Sequence, residues 1–323
     1  MVSPTLKVND LHTYYSILRG WVKAVDGVSF DVERGEALGL AGESGCGKTT
    51  VALSVLKILP SGARIVKGQI LFDGLDIVKL EENEVREKIR WKGISLVFQG
   101  AMNALNPVYR IGDQITEAIT AHEHDVGKSE ALERARKLFE LVGIEPSRVD
   151  NFPHEFSGGM RQRAMIAMAL SCNPKLLIAD EPGTALDVIV QAQVLKLMKE
   201  LKERLDLSMI LISHDLSIIS EICDKVAIMY GGKMVEYGDI VDLYKNPLHP
   251  YTQGLLAAFP SIMAPKTRMV SIPGSPPDLL APPPACRFHP RCKYAMEICR
   301  RDEPAFLPVN PSHFVACHLV QKA

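Results

Sequence analysis

Two things are scarce in this chain, a surplus of charge and any long apolar run, and each shortage excludes a class of function. Its 37 Lys and Arg stand against 38 Asp and Glu, a net charge of −1, which leaves no basic footprint for nucleic acid. No apolar stretch approaches the roughly 18 residues that cross a bilayer, so membrane association is expected to come through partners. Met1 opens a polar stretch without the apolar core of a secretory signal, and an intracellular protein is expected. The Cys-x₂₋₄-Cys pairs usual in zinc sites are also lacking. What is present is 47 % hydrophobic residues in 323, enough to bury a sizeable core in about two domains.

Gly42-Glu43-Ser44-Gly45-Cys46-Gly47-Lys48-Thr49 matches the eight-residue phosphate-loop pattern. Its glycines let successive backbone N–H groups converge on phosphate oxygens, and the following helix N-terminus adds a favourable dipole. Lys48 is placed to reach the β- and γ-phosphates and Thr49 to ligate Mg²⁺, with Thr50 next to them. Ala37–Ala41 reads as a buried strand before the loop and Thr50–Leu56 as a helix behind it. Cys46 sits at a variable loop position and reads as an inert small residue.

A second apolar strand, Leu176–Ala179, delivers Asp180 and Glu181 at its C-terminal end, where open α/β sheets bind ligands. Asp180 is placed for the Mg²⁺ hydration shell, and Glu181 to polarise an attacking water. Gln99 ends the strand-like Ile94–Phe98, and His214 follows the strand-like Met209–Ser213. Phe156-Ser157-Gly158-Gly159-Met160 is a glycine-rich turn opening a helix, and Asp187 closes Ala185-Leu186-Asp187.

In this order and spacing the set resembles the ATPase subunit of an ATP-binding cassette transporter. The resemblance implies a P-loop α/β core, mainly parallel with an antiparallel N-terminal β portion. It assigns Gln99 to the glutamine loop that contacts Mg²⁺, His214 to the γ-phosphate switch and Asp187 to the loop that communicates across a dimer. Ser157, Gly158, Gly159 and Met160 form the signature that completes the partner's ATP site, and Tyr15 aligns with the adenine-stacking aromatic. Phe156 and Met160 depart from the usual leucine and glutamine, and Gly183 from a common threonine, where it adds backbone freedom. Strand and helix periods place a nucleotide-binding domain at 1–245, with a helical insert at about 100–171 that starts at Gly100–Pro107. By resemblance, that start lies against a transmembrane subunit.

Composition changes after Asn246. Prolines 247, 250, 260, 265, 273, 276, 277 and 282–284 oppose long helices, and predict an appended domain at 246–323. Asn246–Thr252 and Ile272–Pro277 resemble the tail shared by oligopeptide and dipeptide importer ATPases. Four of the seven cysteines, Cys286, Cys292, Cys299 and Cys317, lie there. Disulfides are disfavoured inside cells, and a metal or cluster site is the better reading. The resemblance implies a [4Fe–4S] cluster, with Zn²⁺ left open as the alternative.

The resemblance further implies two transmembrane permease subunits, a second ATPase subunit, identical or related, an external solute-binding protein and a place at the cytoplasmic face of the membrane. Import of oligosaccharides or nickel by the same engine stays open. A soluble regulatory ATPase is a remoter alternative, since no second cassette, long coiled coil or basic arm is evident.

Overall fold

The computed structural model describes residues 4–100, 104–258 and 272–321. Met1, the insert-start residues Ala101, Met102 and Asn103, and the tail prolines Pro260 and Pro265 lie outside them. The chain divides into two compact units.

The first unit comprises residues 1–32, 37–78 and 211–323. Leu6–Ile17 alternates buried and exposed side chains and pairs antiparallel with Gly20–Val32 on one side and Ala63–Phe72 on the other. This period-two pattern suits a sheet with one face on the core. Ala37–Ala41 is buried throughout and runs parallel to Lys225–Tyr230, as continuously apolar strands do when both faces are covered. Lys233–Asp239 adds antiparallel to that strand, followed by His313–Val315 and then Leu307–Asn310. The proline-rich tail thus extends the sheet that begins beside the phosphate loop.

Apart from this hairpin, the described residues of the tail form only short helices, Pro250–Ala258, His289–Arg291, Ile298–Arg301 and His318–Gln321. Aromatic packing pins it down. Tyr230 and Tyr251 are buried edge to face with centroids 4.7 Å apart, and Phe288 lies 5.0 and 5.4 Å from them. Such pairs add about 0.5–1.5 kcal/mol each beyond their area burial.

The second unit comprises residues 33–36 and 79–210. Ile94–Val97 pairs in parallel with Leu176–Asp180. Ile111–His122 and Lys128–Leu141 form the helical insert with Gly158–Ala169, burying Ile111, Ile115 and Ile119 from the first helix and Ala131, Ala135 and Phe139 from the second. That spacing is the apolar stripe of an amphipathic helix. Phe156 is 3 % exposed and meets Phe139 edge to face at 6.1 Å, so an aromatic anchors the glycine-rich turn where leucine is usual. Val188–Leu205 is a long helix capped by Asp187.

Candidate functional site

In the first unit, Gly42 to Gly47 joins the strand Ala37–Ala41 to the helix Lys48–Val55. Gly42 and Gly47 have φ of +148° and +110°. A Cβ on either would lie 2.2 Å from a backbone carbonyl, that of Met229 or of Ala24, so only glycine lets the loop fold this tightly. At Gly45 nothing lies within 4 Å of such a Cβ, and there the loop faces open space. Lys48 is drawn across this cradle, its Nζ donating to the carbonyls of Gly42 at 2.7 Å and Glu43 at 3.0 Å. Burial pushes the Cys46 thiol up, away from reactive thiolate. Tyr15, on the strand Leu6–Ile17, shares a hydrogen bond of 3.1 Å between its hydroxyl and that of Thr50. His214 is exposed directly after the strand Ser208–Ser213.

In the second unit, Asp180 is 3 % exposed at the end of Leu176–Asp180. Glu181 follows with φ of +47°, an uncommon conformation for a side-chain-bearing residue that turns it off the strand. Its Oε2 accepts from Gln99 Nε2 and from the Thr184 hydroxyl, both at 3.0 Å. Thr184 was not singled out from sequence; its place three residues after Glu181 was the available signal. The Ser157 hydroxyl caps its helix, accepting from the Met160 N–H at 3.3 Å. Gly159 packs where a Cβ would lie 2.4 Å from Val190 Cγ1. Asp187 caps the next helix through the Val190 N–H at 2.9 Å, and Val188 and Ile189 beside it are 80 % and 73 % exposed. Gly183 is packed rather than loose, for a Cβ there would lie 2.6 Å from Gln191.

In the tail, Cys299 and Cys317 are 7 % and 8 % exposed, with Cys286 and Cys292 half-buried. Burial pushes the Cys286 thiol up to about 11, and the other three thiols add to the rise. Cys286 N–H also donates to the Cys299 carbonyl at 3.2 Å. Among the described residues, however, no three His, Cys, Asp or Glu side chains are grouped to hold a metal ion. The expected zinc or iron–sulfur set is therefore not assembled as a coordination shell; a single tetrahedral ion would draw its thiolates to within about 4 Å of one another. No described helix is long and apolar enough to cross a membrane.

Contacts to the phosphate loop from the tail were also missed. Tyr251 and Arg291 both bond Glu43, and nothing in their local sequence points back to residue 43.

Residues 25–184 match the ABC transporter family, and residues 235–299 match the oligopeptide/dipeptide transporter C-terminal region. The chain is 42 % identical over 322 residues to the dipeptide transport ATP-binding protein DppD of Caldanaerobacter subterraneus subsp. tengcongensis, covering 99 % of this chain and 98 % of that protein. It is 46 % identical over 323 residues to the oligopeptide transport ATP-binding protein OppD of Bacillus subtilis, covering 99 % and 90 %. A solved dimeric ATP-binding cassette in a post-hydrolysis state, bound to ADP and Pi, superposes with a TM-score of 0.64 at 24 % identity, over 73 % of this chain and 98 % of that one. The fold is that of the P-loop ABC cassette, and the chain belongs to the oligopeptide and dipeptide branch of the ABC transporter ATP-binding proteins.

Proposed function

We propose that this chain is the ATP-hydrolysing subunit that powers uptake of oligopeptides or dipeptides through a membrane importer. The observation that carries the reading is a Lys48-braced phosphate cradle in a chain that also bears the peptide-transporter C-terminal region.

In this reading residues 1–245 bind nucleotide and 246–323 form the appended tail. Backbone N–H groups of Gly42 to Thr50 and the Lys48 ammonium hold the phosphates, while Tyr15 stacks on adenine. Thr49, Gln99 and Asp180 hold Mg²⁺ and its waters. Glu181 accepts the proton of the attacking water, and His214 contacts the γ-phosphate. Catalysis is then mostly positioning and charge stabilisation.

Ser157, Gly158, Gly159 and Met160 complete the ATP site of a second ATPase subunit, identical or related, with Asp187 facing it. The exposed Val188 and Ile189 beside Asp187 support a surface covered in that dimer. Two permease subunits and an external solute-binding protein complete the importer, with this chain peripheral at the cytoplasmic face.

Cys286, Cys292, Cys299 and Cys317 would hold a [4Fe–4S] cluster. The concentration of four of the chain's seven cysteines in this segment, with the other three thiols acting on Cys286, supports this reading. Such a group would supply a structural staple for a short segment with little core of its own.

Cells lacking this chain should lose uptake of labelled di- and oligopeptides, regained with the wild-type chain but not with Lys48→Ala. Intact peptide uptake with loss of nickel or oligosaccharide uptake would replace the cargo, and intact uptake of all three would overturn the importer reading.

A further inference from the structure

A carboxylate inside a phosphate-binding loop is an electrostatic liability, since it places a negative charge beside the triphosphate the loop must attract. Glu43 is such a residue. Its carboxylate is met by a bidentate arginine from the far end of the chain. Arg291 Nη1 donates to Glu43 Oε2 at 2.6 Å and Nη2 to Oε1 at 3.0 Å. The Arg291 side chain is only 6 % exposed and that of Glu43 27 %, so the pair is shielded from solvent far more than a surface ion pair.

The guanidinium is held from behind. Its Nε donates to the Pro273 carbonyl at 2.7 Å, and the remaining N–H groups reach the Ile272 carbonyl and the Tyr230 hydroxyl at 3.4 Å. Glu43 is held at its backbone too, its N–H donating to the Tyr251 hydroxyl at 2.8 Å and its carbonyl accepting from Lys48 Nζ at 3.0 Å. The loop's second residue is thereby fixed through both main chain and side chain, with the fixing groups Tyr251 and Arg291 both supplied by the segment after residue 246.

We propose that Arg291 is a positioning residue of the ATP site, which neutralises Glu43 and holds its carboxylate to the side so that the loop's N–H groups and Lys48 face the phosphates. The inference rests on reading residues 42–49 as the ATP site. It assigns the appended tail a direct electrostatic part in nucleotide affinity, without contact between Arg291 and the nucleotide.

The sign of each charge change follows. Arg291→Met leaves an unpaired carboxylate in the loop, Glu43→Gln leaves an unpaired guanidinium beside it, and the double variant is neutral again. Mg-ATP affinity of the full-length chain, at fixed ionic strength, should weaken about tenfold in Arg291→Met, tighten about threefold in Glu43→Gln, and return to within about threefold of wild type in the double variant. A purely structural arginine would leave the double variant as weak as Arg291→Met, and that result overturns the proposal, as does unchanged affinity in Arg291→Met. Should Arg291→Met fail to fold, Glu43→Gln decides alone, and unchanged or weaker binding there is the overturning result. Failure of the wild-type chain to bind Mg-ATP would instead remove the underlying nucleotide reading.

Discussion

Gln99 and Glu181, 82 residues apart, are joined directly, the amide Nε2 donating to the carboxylate Oε2 at 3.0 Å. Thr184 donates to the same oxygen. A carboxylate gripped by two donors has its plane set before any substrate arrives, which is how a base is preorganised. Through this bond the carboxylate proposed as the base is tied to Gln99, just before the helical insert.

Replacing Glu181 with Gln keeps the shape while removing the carboxylate proposed to accept the water's proton. Phosphate release should fall by about 10²–10³ while Mg-ATP binding persists, so that a closed dimer accumulates. Single-turnover phosphate release compared with equilibrium ATP binding checks this, and unchanged turnover would remove Glu181 from its role.

Gly159→Ala should destabilise the chain by about 1–3 kcal/mol, because the new Cβ would lie 2.4 Å from Val190 Cγ1. Denaturant unfolding measures the loss. Val190→Ala in the same chain should recover most of it, since the clash is with that one methyl; a double variant as unstable as Gly159→Ala would place the strain elsewhere.

Acid should loosen the first unit through His249. This residue is 1 % exposed, accepts from the Tyr251 N–H at 3.0 Å, and has its pKa lowered from 6.5 to about 4, by burial against the opposing pull of Glu236. Below pH 6.5 the unfolded chain takes up a proton that the folded chain refuses. The contribution is thus complete above that pH, lost progressively down to about pH 4, and flat below, amounting to about 3 kcal/mol. Melting temperatures across this window should show a shallower acid slope in His249→Asn, and an identical slope would exclude the residue.

Chain purified without oxygen should carry about four irons and four acid-labile sulfides, lost in Cys292→Ser. Stoichiometric zinc would keep a staple of another kind, and absence of both metals would leave the nucleotide reading standing without the cluster.

What the sequence made legible follows from how local each constraint is. Gly42, Gly47 and Lys48 are neighbours whose types are dictated by a tight turn and a polyanion, so the loop was readable from eight residues. Asp180 and Glu181 were legible as the end of a buried strand, because the apolar run Leu176–Ala179 gives way to two carboxylates there. The bond from Thr184 to Glu181 was not, for threonine after a turn is common. Arg291 and Glu43 lie 248 residues apart, and an arginine between two cysteines gives no sign that it turns inward. The Leu307–Asn310 strand was equally hidden, since all four residues are exposed and carry no alternation to betray a sheet.

That strand has a role of its own. A sheet that ended at Lys233–Asp239 would offer a row of unpaired N–H and C=O groups to any passing extended chain. The hairpin covers the part of that row at Glu236, Tyr237 and Gly238, and its outermost member presents, opposite Phe314, Pro308, which has no N–H to give. The sheet therefore finishes, at this edge, in a strand poorly suited to templating another, which guards the edge against aggregation.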